Sequence, residues 1–183
     1  VDLPAAIVLE TIQGEGGLNA CSAEWVQKIA SIARAHDIFL IVDDIQAGCG
    51  RSGNFFSFEA LGIVPDIICM AKAISGYGLP MALVLIKPEY DQWSPGEHNG
   101  TFRGNNLAFV TAAKAIDVFW SDESFECSVN ETAQRMRSGL DALTQKHGGR
   151  VKGRGMMLGV DVKDTDLCAR IRNECFNNGL IVE

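Results

Sequence analysis

The stretch Ile38-Phe39-Leu40-Ile41-Val42-Asp43 is an uninterrupted apolar run that ends at a carboxylate. Similar apolar runs occur at 5–9, 67–70 and 82–86. Runs that are apolar on both faces are typical of strands buried between two layers of helices. A helix is predicted at 22–35 between the first two runs, and a strand, a helix and a strand in succession form a parallel pair with a right-handed crossover. The run and its neighbours therefore predict an α/β fold.

The helix at 22–35 is the clearest helical pattern in this part of the chain. Ser22 has a side chain suited to capping its first turn. Its apolar side chains recur at helical spacing, and we predict a buried face formed by Trp25, Ile29, Ile32 and Ala33.

Helical spacing and end signals predict three further helices downstream. They lie at about 107–120, 123–147 and 164–178, with short strands at 150–155 and 157–162. We assign 1–121 to the C-terminal half of a large domain, and 122–183 to a linking helix and an incomplete small α+β domain. Residues 179–183 suggest a turn and the first residues of a new strand, and the chain begins without a methionine. We therefore expect an internal piece of a longer protein.

The composition argues against several classes of function. The 183 residues carry a net charge of −7, so neither nucleic acid nor an anionic membrane surface is an expected partner. No apolar stretch reaches the roughly 18 residues that a membrane span needs. The six cysteines form no CxxC pair and no metal-ligand grouping with the three histidines, so we predict reduced thiols, a cytoplasmic location and no metal site.

Lys72 and Asp43 are the most informative pair of residues. Lys72 follows the apolar run at 67–70 and opens a loop of small residues, while Asp43 ends the preceding run. In open α/β sheets ligands bind beyond the carboxyl ends of the strands, so both side chains are expected to reach one crevice. A lysine amine can attack a carbonyl carbon, and an aspartate can hold a protonated pyridine nitrogen. Either residue alone would more often be a solvated charge or a turn cap, but together they predict a pyridoxal phosphate enzyme.

The sequences around these residues resemble a known family. The segment 41–53 resembles the aspartate-bearing signature of the class III aminotransferases, and 10–17 is similar to their acidic glycine loop. The resemblance covers essentially the whole chain and implies the fold of the type I pyridoxal phosphate transferases. It also implies that the phosphate-binding loop and a substrate-binding arginine of the family lie outside this chain.

The resemblance implies a role for each matching residue. Lys72 would bind pyridoxal 5'-phosphate covalently and then act as acid and base, while Asp43 would pair with the pyridine nitrogen. Ile45 would pack against the ring face, and Gln46 would hydrogen-bond the ring hydroxyl. For these two residues, an ordinary core isoleucine and an exposed loop glutamine remain the alternatives.

Two more matches concern the substrate and a second subunit. Glu15 matches the glutamate that pairs with the substrate-binding arginine. Thr101 matches a threonine that reaches the cofactor phosphate of the neighbouring subunit, which implies a homodimer or a higher homo-oligomer; a threonine capping a turn is the alternative. The role of Arg103 is left open.

The segment 96–106 is most similar to the diaminobutyrate branch of the family, which belongs to ectoine synthesis. The resemblance therefore implies amino acid and 2-oxo acid substrates, with transfer of an amino group from glutamate to aspartate 4-semialdehyde to give 2-oxoglutarate and 2,4-diaminobutyrate. Three alternatives stay open. They are a related aminotransferase acting on 4-aminobutyrate, ornithine or siderophore-route diaminobutyrate, a piece that is inactive by itself, and a nucleotide binder without pyridoxal phosphate.

Overall fold

The structure is a computed structural model that describes residues 2–101 and 103–183. Phe102, which belongs to the segment 96–106, lies outside the described residues. A four-stranded sheet is followed by a long helix and a separate two-stranded sheet. The strands are β1 (Ala6–Leu9), β2 (Phe39–Asp43), β3 (Ile67–Ala71), β4 (Ala82–Ile86), β5 (Arg150–Arg154) and β6 (Met157–Asp161). The helices are α1 (Ala23–Ala35), α2 (Asn106–Phe119), α3 (Ser124–His147) and α4 (Thr165–Asn177).

The larger sheet has the order β1-β2-β3-β4. β1 and β2 pair in parallel, as do β2 and β3, whereas β4 runs antiparallel to β3. The predicted α/β architecture is confirmed, with a mixed sheet in which parallel pairs dominate. The carboxyl ends of β2 and β3 consequently meet at one edge of the sheet.

The outer strands correct one prediction. All four apolar runs were expected to be buried on both faces, but Val8 on β1 is 63% exposed and Val84 on β4 is 57% exposed. Only β2 and β3 are flanked on both sides by other strands of the described sheet. Val42 on β2 and Met70 on β3 are buried, and Val42 packs in the same cluster as Val26 and Ala33 of α1.

Helix α1 confirms the predicted cap, and it confirms two of the four residues of the predicted face, Ile29 and Ala33. The Ser22 hydroxyl accepts a hydrogen bond from the backbone N–H of Trp25 at 3.2 Å. Trp25 and Ile32 are 50% and 42% exposed, however, and the contact with the sheet is made by Val26, Ile29, Ala30 and Ala33. These positions follow the i, i+3, i+4, i+7 stripe of a helix, which the larger side chains of Trp25 and Ile32 had obscured in the sequence.

The downstream elements agree with the sequence to within two residues, except at the end of the chain. Asn105 caps α2 by accepting a hydrogen bond from the backbone N–H of Leu107 at 3.1 Å, and Asp164 caps α4. Residues 179–183 form no strand, so that prediction is wrong for the structure described. A strand needs a neighbour to satisfy its backbone groups, and the described residues pair no strand with this segment.

The β5–β6 hairpin packs against the first part of the chain. Met157 at the start of β6 joins Ile12 and Ala47 in a small buried apolar cluster, with Leu18 beside it. Helix α3 contacts both sides, since it packs against β5 and also receives a hydrogen bond from Asn54 through the Glu126 carboxylate at 2.8 Å.

Two further observations bear on the sequence predictions. None of the helices in the described ranges is both long enough and apolar enough to cross a membrane. All six cysteines carry free thiols.

Candidate active site

Asp43 and Lys72 lie at the same edge of the sheet. Asp43 is the last residue of β2 and stands opposite Cys69 of β3 in the parallel register. Lys72 follows immediately after Ala71, which is the last residue of β3. The two residues thus leave neighbouring parallel strands at their carboxyl ends, where α/β sheets bind ligands.

The backbone of Lys72 adopts an unusual conformation. Its φ angle is 57°, in the left-handed region that few residues other than glycine adopt. Such a conformation costs about 1–2 kcal/mol for a residue with a side chain, and it persists where the surrounding structure enforces it. Strained residues of this kind are concentrated at functional sites.

Ser75 holds the turn that Lys72 begins. This serine is fully buried, and its hydroxyl accepts a hydrogen bond from the backbone N–H of Gly78 at 3.0 Å. The same hydroxyl donates to the carbonyl oxygen of Lys72 at 3.3 Å. The short loop that follows β3 therefore closes on the lysine backbone.

Helix α2 packs directly on this turn. The Thr111 hydroxyl donates a hydrogen bond to the carbonyl oxygen of Ser75 at 2.7 Å. Gly76 has a φ angle of 73°, and a Cβ there would lie only 2.5 Å from the Cβ of Ala115. Glycine is thus required for the helix to approach this closely, and the helix in turn fixes the lysine loop.

Lys72 lines an open cavity of about 880 Å³ together with Arg51 and the loop that leads to β4. Arg51 was not predicted as a site residue, although it lies inside the segment 41–53 that carries the aspartate. An amine and a guanidinium in one cavity suit an anionic ligand, since arginine binds carboxylates and phosphates through two parallel hydrogen bonds. Asp43 is half-buried and is not among the described residues that line this cavity.

The residues after Asp43 form a compact turn. One carboxylate oxygen of Asp43 accepts a hydrogen bond from the backbone N–H of Ile45 at 3.0 Å. Ile45 and Gln46 are both half-buried. The hydrogen bond is local, and it sets the direction of the Asp43 carboxylate relative to the end of its strand.

Gln46 and Glu15 meet in the structure. The Gln46 side-chain Nε2 donates to Oε1 of Glu15 at 3.2 Å. Gly14 gives the glutamine its space, because a Cβ at Gly14 would lie 2.2 Å from the Gln46 Oε1. The Glu10 carboxylate orders the same loop by accepting a hydrogen bond from the Gly14 N–H at 2.8 Å. Two residues predicted for the cofactor and for the substrate are therefore neighbours.

Thr101 makes no hydrogen bond with Lys72, Asp43 or any other described residue through its hydroxyl group. It is exposed in a loop. Arg103 is exposed in the same loop, where its backbone N–H donates to the carbonyl oxygen of Gly100 at 3.0 Å.

A second carboxylate, Asp44, lies beneath the strand end and was missed in the sequence. It is 1% exposed, because the alternation along β2 turns it away from the face that Asp43 occupies. Burial raises the pKa of Asp44, while hydrogen bonding by Ser57 and the positive charge of Arg154 oppose this rise. Its position next to Asp43 in the sequence was the available signal.

Comparisons with known proteins identify the family of this chain. The sequence matches the family described as "Aminotransferase class-III" over residues 2–183. It is 55% identical to the diaminobutyrate–2-oxoglutarate transaminase of Vibrio parahaemolyticus and 56% identical to that of Virgibacillus pantothenticus, covering all of this chain and 44% and 45% of the relatives. The chain therefore spans less than half the length of the curated relatives that it matches.

Solved structures share the fold. The ornithine aminotransferase of Plasmodium yoelii superposes with a TM-score of 0.87 at 27% identity, covering 97% of this chain and 48% of that one. An ornithine aminotransferase from Toxoplasma gondii, reported with partial occupancy of PLP at its active site, gives a TM-score of 0.86 at 29% identity, covering 98% of this chain and 43% of the other. The N-acetylornithine aminotransferase of Stenotrophomonas maltophilia gives 0.81 at 31% identity, covering 97% and 47%.

Proposed function

The chain belongs to the class III aminotransferases, and from this we propose that it carries the lysine-bearing part of an active site that transfers amino groups with the help of pyridoxal phosphate. One observation carries the proposal: the chain is more than half identical, along its whole length, to diaminobutyrate–2-oxoglutarate transaminases. The Lys72 turn and the Asp43 strand end at one edge of the sheet support it.

The residues at this edge fit the proposed cofactor. Pyridoxal phosphate has an aldehyde that a lysine amine can attack, a pyridine nitrogen that a carboxylate can hold, and an anionic phosphate. Lys72 presents an amine to the cavity, and Arg51 adds a second cation there. When bound, the cofactor supplies an electron-withdrawing ring that stabilises negative charge on the substrate carbon.

We assign a separate role to each of four residues of the proposed site. The Lys72 amine would hold the cofactor and, when free, would move a proton between the substrate carbon and the cofactor. The Asp43 carboxylate keeps the pyridine nitrogen protonated. Gln46 donates a hydrogen bond to the ring hydroxyl, and Ile45 packs against the ring face.

The substrate side of the site is assigned to Glu15 and Arg51. Arg51 binds a substrate carboxylate, since it shares the cavity of Lys72 and carries a permanent charge. Glu15 lies beside Gln46 and pairs with an arginine of the substrate pocket, as the resemblance implies.

The proposed reaction moves an amino group from glutamate to aspartate 4-semialdehyde, giving 2-oxoglutarate and 2,4-diaminobutyrate. We assign it to ectoine synthesis. The named activity of the most similar relatives supports the pair of substrates, whereas the similarity to ornithine aminotransferases of known structure favours an ornithine-type activity as the second candidate.

The partner of this site is proposed to be a second copy of the same protein. Thr101 reaches across to the cofactor phosphate of that copy, which accounts for its exposure. A cytoplasmic location fits the six free thiols.

The test compares three amino donors in the complete protein. With 2-oxoglutarate held constant, we expect kcat/KM for 2,4-diaminobutyrate to exceed that for 4-aminobutyrate and for ornithine at least tenfold. Such a ratio needs about 1.4 kcal/mol, which one polar contact can supply. A preference for ornithine or 4-aminobutyrate would reject the substrate assignment and leave the aminotransferase assignment standing. Absence of transamination with all three would reject both.

A further inference from the structure

Every polar group of Asp44 except one side-chain oxygen makes a hydrogen bond. Its backbone N–H donates to the carbonyl oxygen of Cys69 at 2.9 Å, and its carbonyl oxygen accepts from the N–H of Gly48 at 3.1 Å. Its carboxylate Oδ2 accepts from the N–H of Ser57 at 3.1 Å, while Oδ1 has no partner among the described residues. The peptide that follows Asp43 is thereby fixed on both sides.

Ser57 joins this strand end to two other parts of the chain. It is buried, and its hydroxyl accepts a hydrogen bond of 2.5 Å from the Thr11 hydroxyl, which lies after β1. Its carbonyl oxygen accepts a hydrogen bond from the Arg154 guanidinium Nη2. Ser57 thus connects Asp44, Thr11 and Arg154 with one bond to each.

Arg154 comes from the β5–β6 hairpin, 97 residues after Ser57. The turn of the hairpin fits closely against the loop after β2: the Met156 N–H donates to the carbonyl oxygen of Arg51 at 2.9 Å. A Cβ at Gly155 would lie 2.3 Å from the carbonyl carbon of Ser52, so glycine is required there. The docked hairpin turn therefore fixes the position of Arg154 relative to the loop after β2.

Charge favours this arrangement. Burial disfavours the ionised forms of both groups: it raises the pKa of Asp44 and lowers the pKa of Arg154, while the attraction between their charges acts against both shifts. Asp44 is buried and Arg154 is half-buried, and no salt bridge joins them among the described residues. The attraction between their charges therefore adds to the hydrogen bonds through Ser57 and does not replace them.

We propose that Arg154 is a positioning residue for the candidate active site, which it reaches through Ser57 and Asp44. The hairpin arginine holds Ser57, Ser57 holds the Asp44 carboxylate, and Asp44 fixes the end of β2 from which Asp43 projects on the opposite face. The direction of the Asp43 carboxylate toward the pyridine nitrogen therefore depends on the docked hairpin. The inference rests on the proposed pyridoxal phosphate site and adds a residue to it.

The experiment uses the complete protein and three variants. Arg154→Met removes the charge and the donor but keeps an apolar stem. Arg154→Lys keeps the charge with a single ammonium group in place of the fork. Arg150→Met is the control, because Arg150 lies on the same strand and makes an exposed ion pair with Asp161 at 3.2 Å, within the hairpin. The readouts are amide hydrogen exchange at 43–48, the dissociation constant of pyridoxal phosphate, and the visible absorption of the bound cofactor.

We expect R154M to exchange the amides at 43–48 at least tenfold faster, to bind pyridoxal phosphate at least tenfold more weakly and to show a shifted absorption maximum. R154K should lie between R154M and the wild type, and R150M should match the wild type. If R154M does not fold, the comparison of R154K with R150M tests the positioning role with the same readouts.

Three results would overturn the inference. The first is that R154M and R154K both match the wild type, and the second is that R150M shows the same losses as R154M. The third is faster amide exchange in R154M with unchanged cofactor affinity and absorption, which would make Arg154 a structural residue only. A wild-type protein that binds no pyridoxal phosphate would overturn the proposed function and this role with it. If the wild type binds pyridoxal phosphate but the Arg154 variants behave like the Arg150 control, only the positioning role is overturned.

Discussion

The side-chain amide of Gln46 lies 3.2 Å from Oε1 of Glu15 and donates a hydrogen bond to it. This contact joins the loop after β2 to the glycine loop after β1. In the proposed enzyme Gln46 serves the cofactor and Glu15 serves the substrate, so one hydrogen bond links the two sides of the site.

Gly14→Ala should break that link. The new methyl group would lie 2.2 Å from the Gln46 Oε1, so the glutamine must move away from Glu15. Loss of one such hydrogen bond is worth about 1 kcal/mol, and we expect about a fivefold weaker affinity for pyridoxal phosphate and a raised KM for the amino donor. Gly139→Ala is the control: a Cβ there meets nothing within 4 Å, and alanine should stabilise that exposed helix. Unchanged binding and KM in Gly14→Ala would contradict the prediction.

Lys72→Ala should abolish covalent attachment of the cofactor. No other group on this turn offers an amine to the cavity, and acid–base catalysis by a positioned residue alone contributes about 10²–10⁴-fold. Visible absorption and turnover should therefore both be lost. Lys114→Ala, on the exposed face of α2, should leave both intact. Retained turnover in Lys72→Ala would remove the lysine from the mechanism.

Asp43→Asn should separate binding from chemistry. An asparagine can still hydrogen-bond the ring but cannot keep the pyridine nitrogen charged, so the electron-withdrawing power of the cofactor falls. We expect cofactor to remain bound while kcat drops by several orders of magnitude, a loss typical of charge stabilisation in a transition state. Titrating the variant with pyridoxal phosphate and then measuring single turnovers checks both parts. A rate near that of the wild type would exclude the assigned role.

Asp44→Asn should change how stability depends on pH. Because burial raises the pKa of Asp44 in the folded state, its contribution to stability is full below the unfolded value near 3.8 and is lost as the pH rises through the folded pKa. Asparagine does not titrate, so the Tm of the variant should gain on that of the wild type as the pH rises from about 4 to 7.

Asp161→Asn is the control for this pH series. The Lys163 N–H and the Arg150 side chain lower the pKa of Asp161, so its contribution is present above the unfolded pKa and lost at lower pH. This variant should fall further behind the wild type as the pH rises, and the two slopes should have opposite signs. Slopes of the same sign would show that at least one of the two carboxylates does not behave as described.

Thr101→Ala should weaken retention of the cofactor, because a hydroxyl donor to phosphate is lost. Lys72→Ala is inactive through a different residue, and one mixed dimer contains one site with both residues intact if Thr101 acts across the interface. Mixing the two variants should therefore restore part of the activity. Mixtures no more active than the average of the two separate variants, measured at limiting pyridoxal phosphate, would place Thr101 in the site of its own subunit.

Local signals explain why most of the fold could be predicted. The capping side chains of Ser22 and Asn105 and the apolar runs act within a few residues, and the structure agrees with them closely. The buried face of α1 was predicted correctly for Ile29 and Ala33 and wrongly for Trp25 and Ile32, since the sheet contacts the smaller Val26 and Ala30 instead.

Only part of the candidate site could be predicted from the sequence. Asp43 and Lys72 stood out through their positions after apolar runs, and Arg51 lay unremarked in the same segment. Asp44 and Arg154 depend on contacts that are distant in sequence, and Arg154 meets Ser57 across 97 positions. The alternation along β2 could have indicated the burial of Asp44, but its contact with Ser57 and the contact of Ser57 with Arg154 cannot be inferred from the neighbouring residues.

The outer strands of the sheet have a practical consequence. β1 and β4 each leave one side without a neighbouring strand in the described chain, and each displays an exposed valine. Backbone N–H and C=O groups along such an edge can pair with a strand of another molecule, and apolar side chains on the flank favour this association. The net charge of −7 opposes it only at long range, and salt screens that repulsion. We therefore expect these two edges to promote association of the 183 residues when they are produced on their own, and to do so more as ionic strength increases.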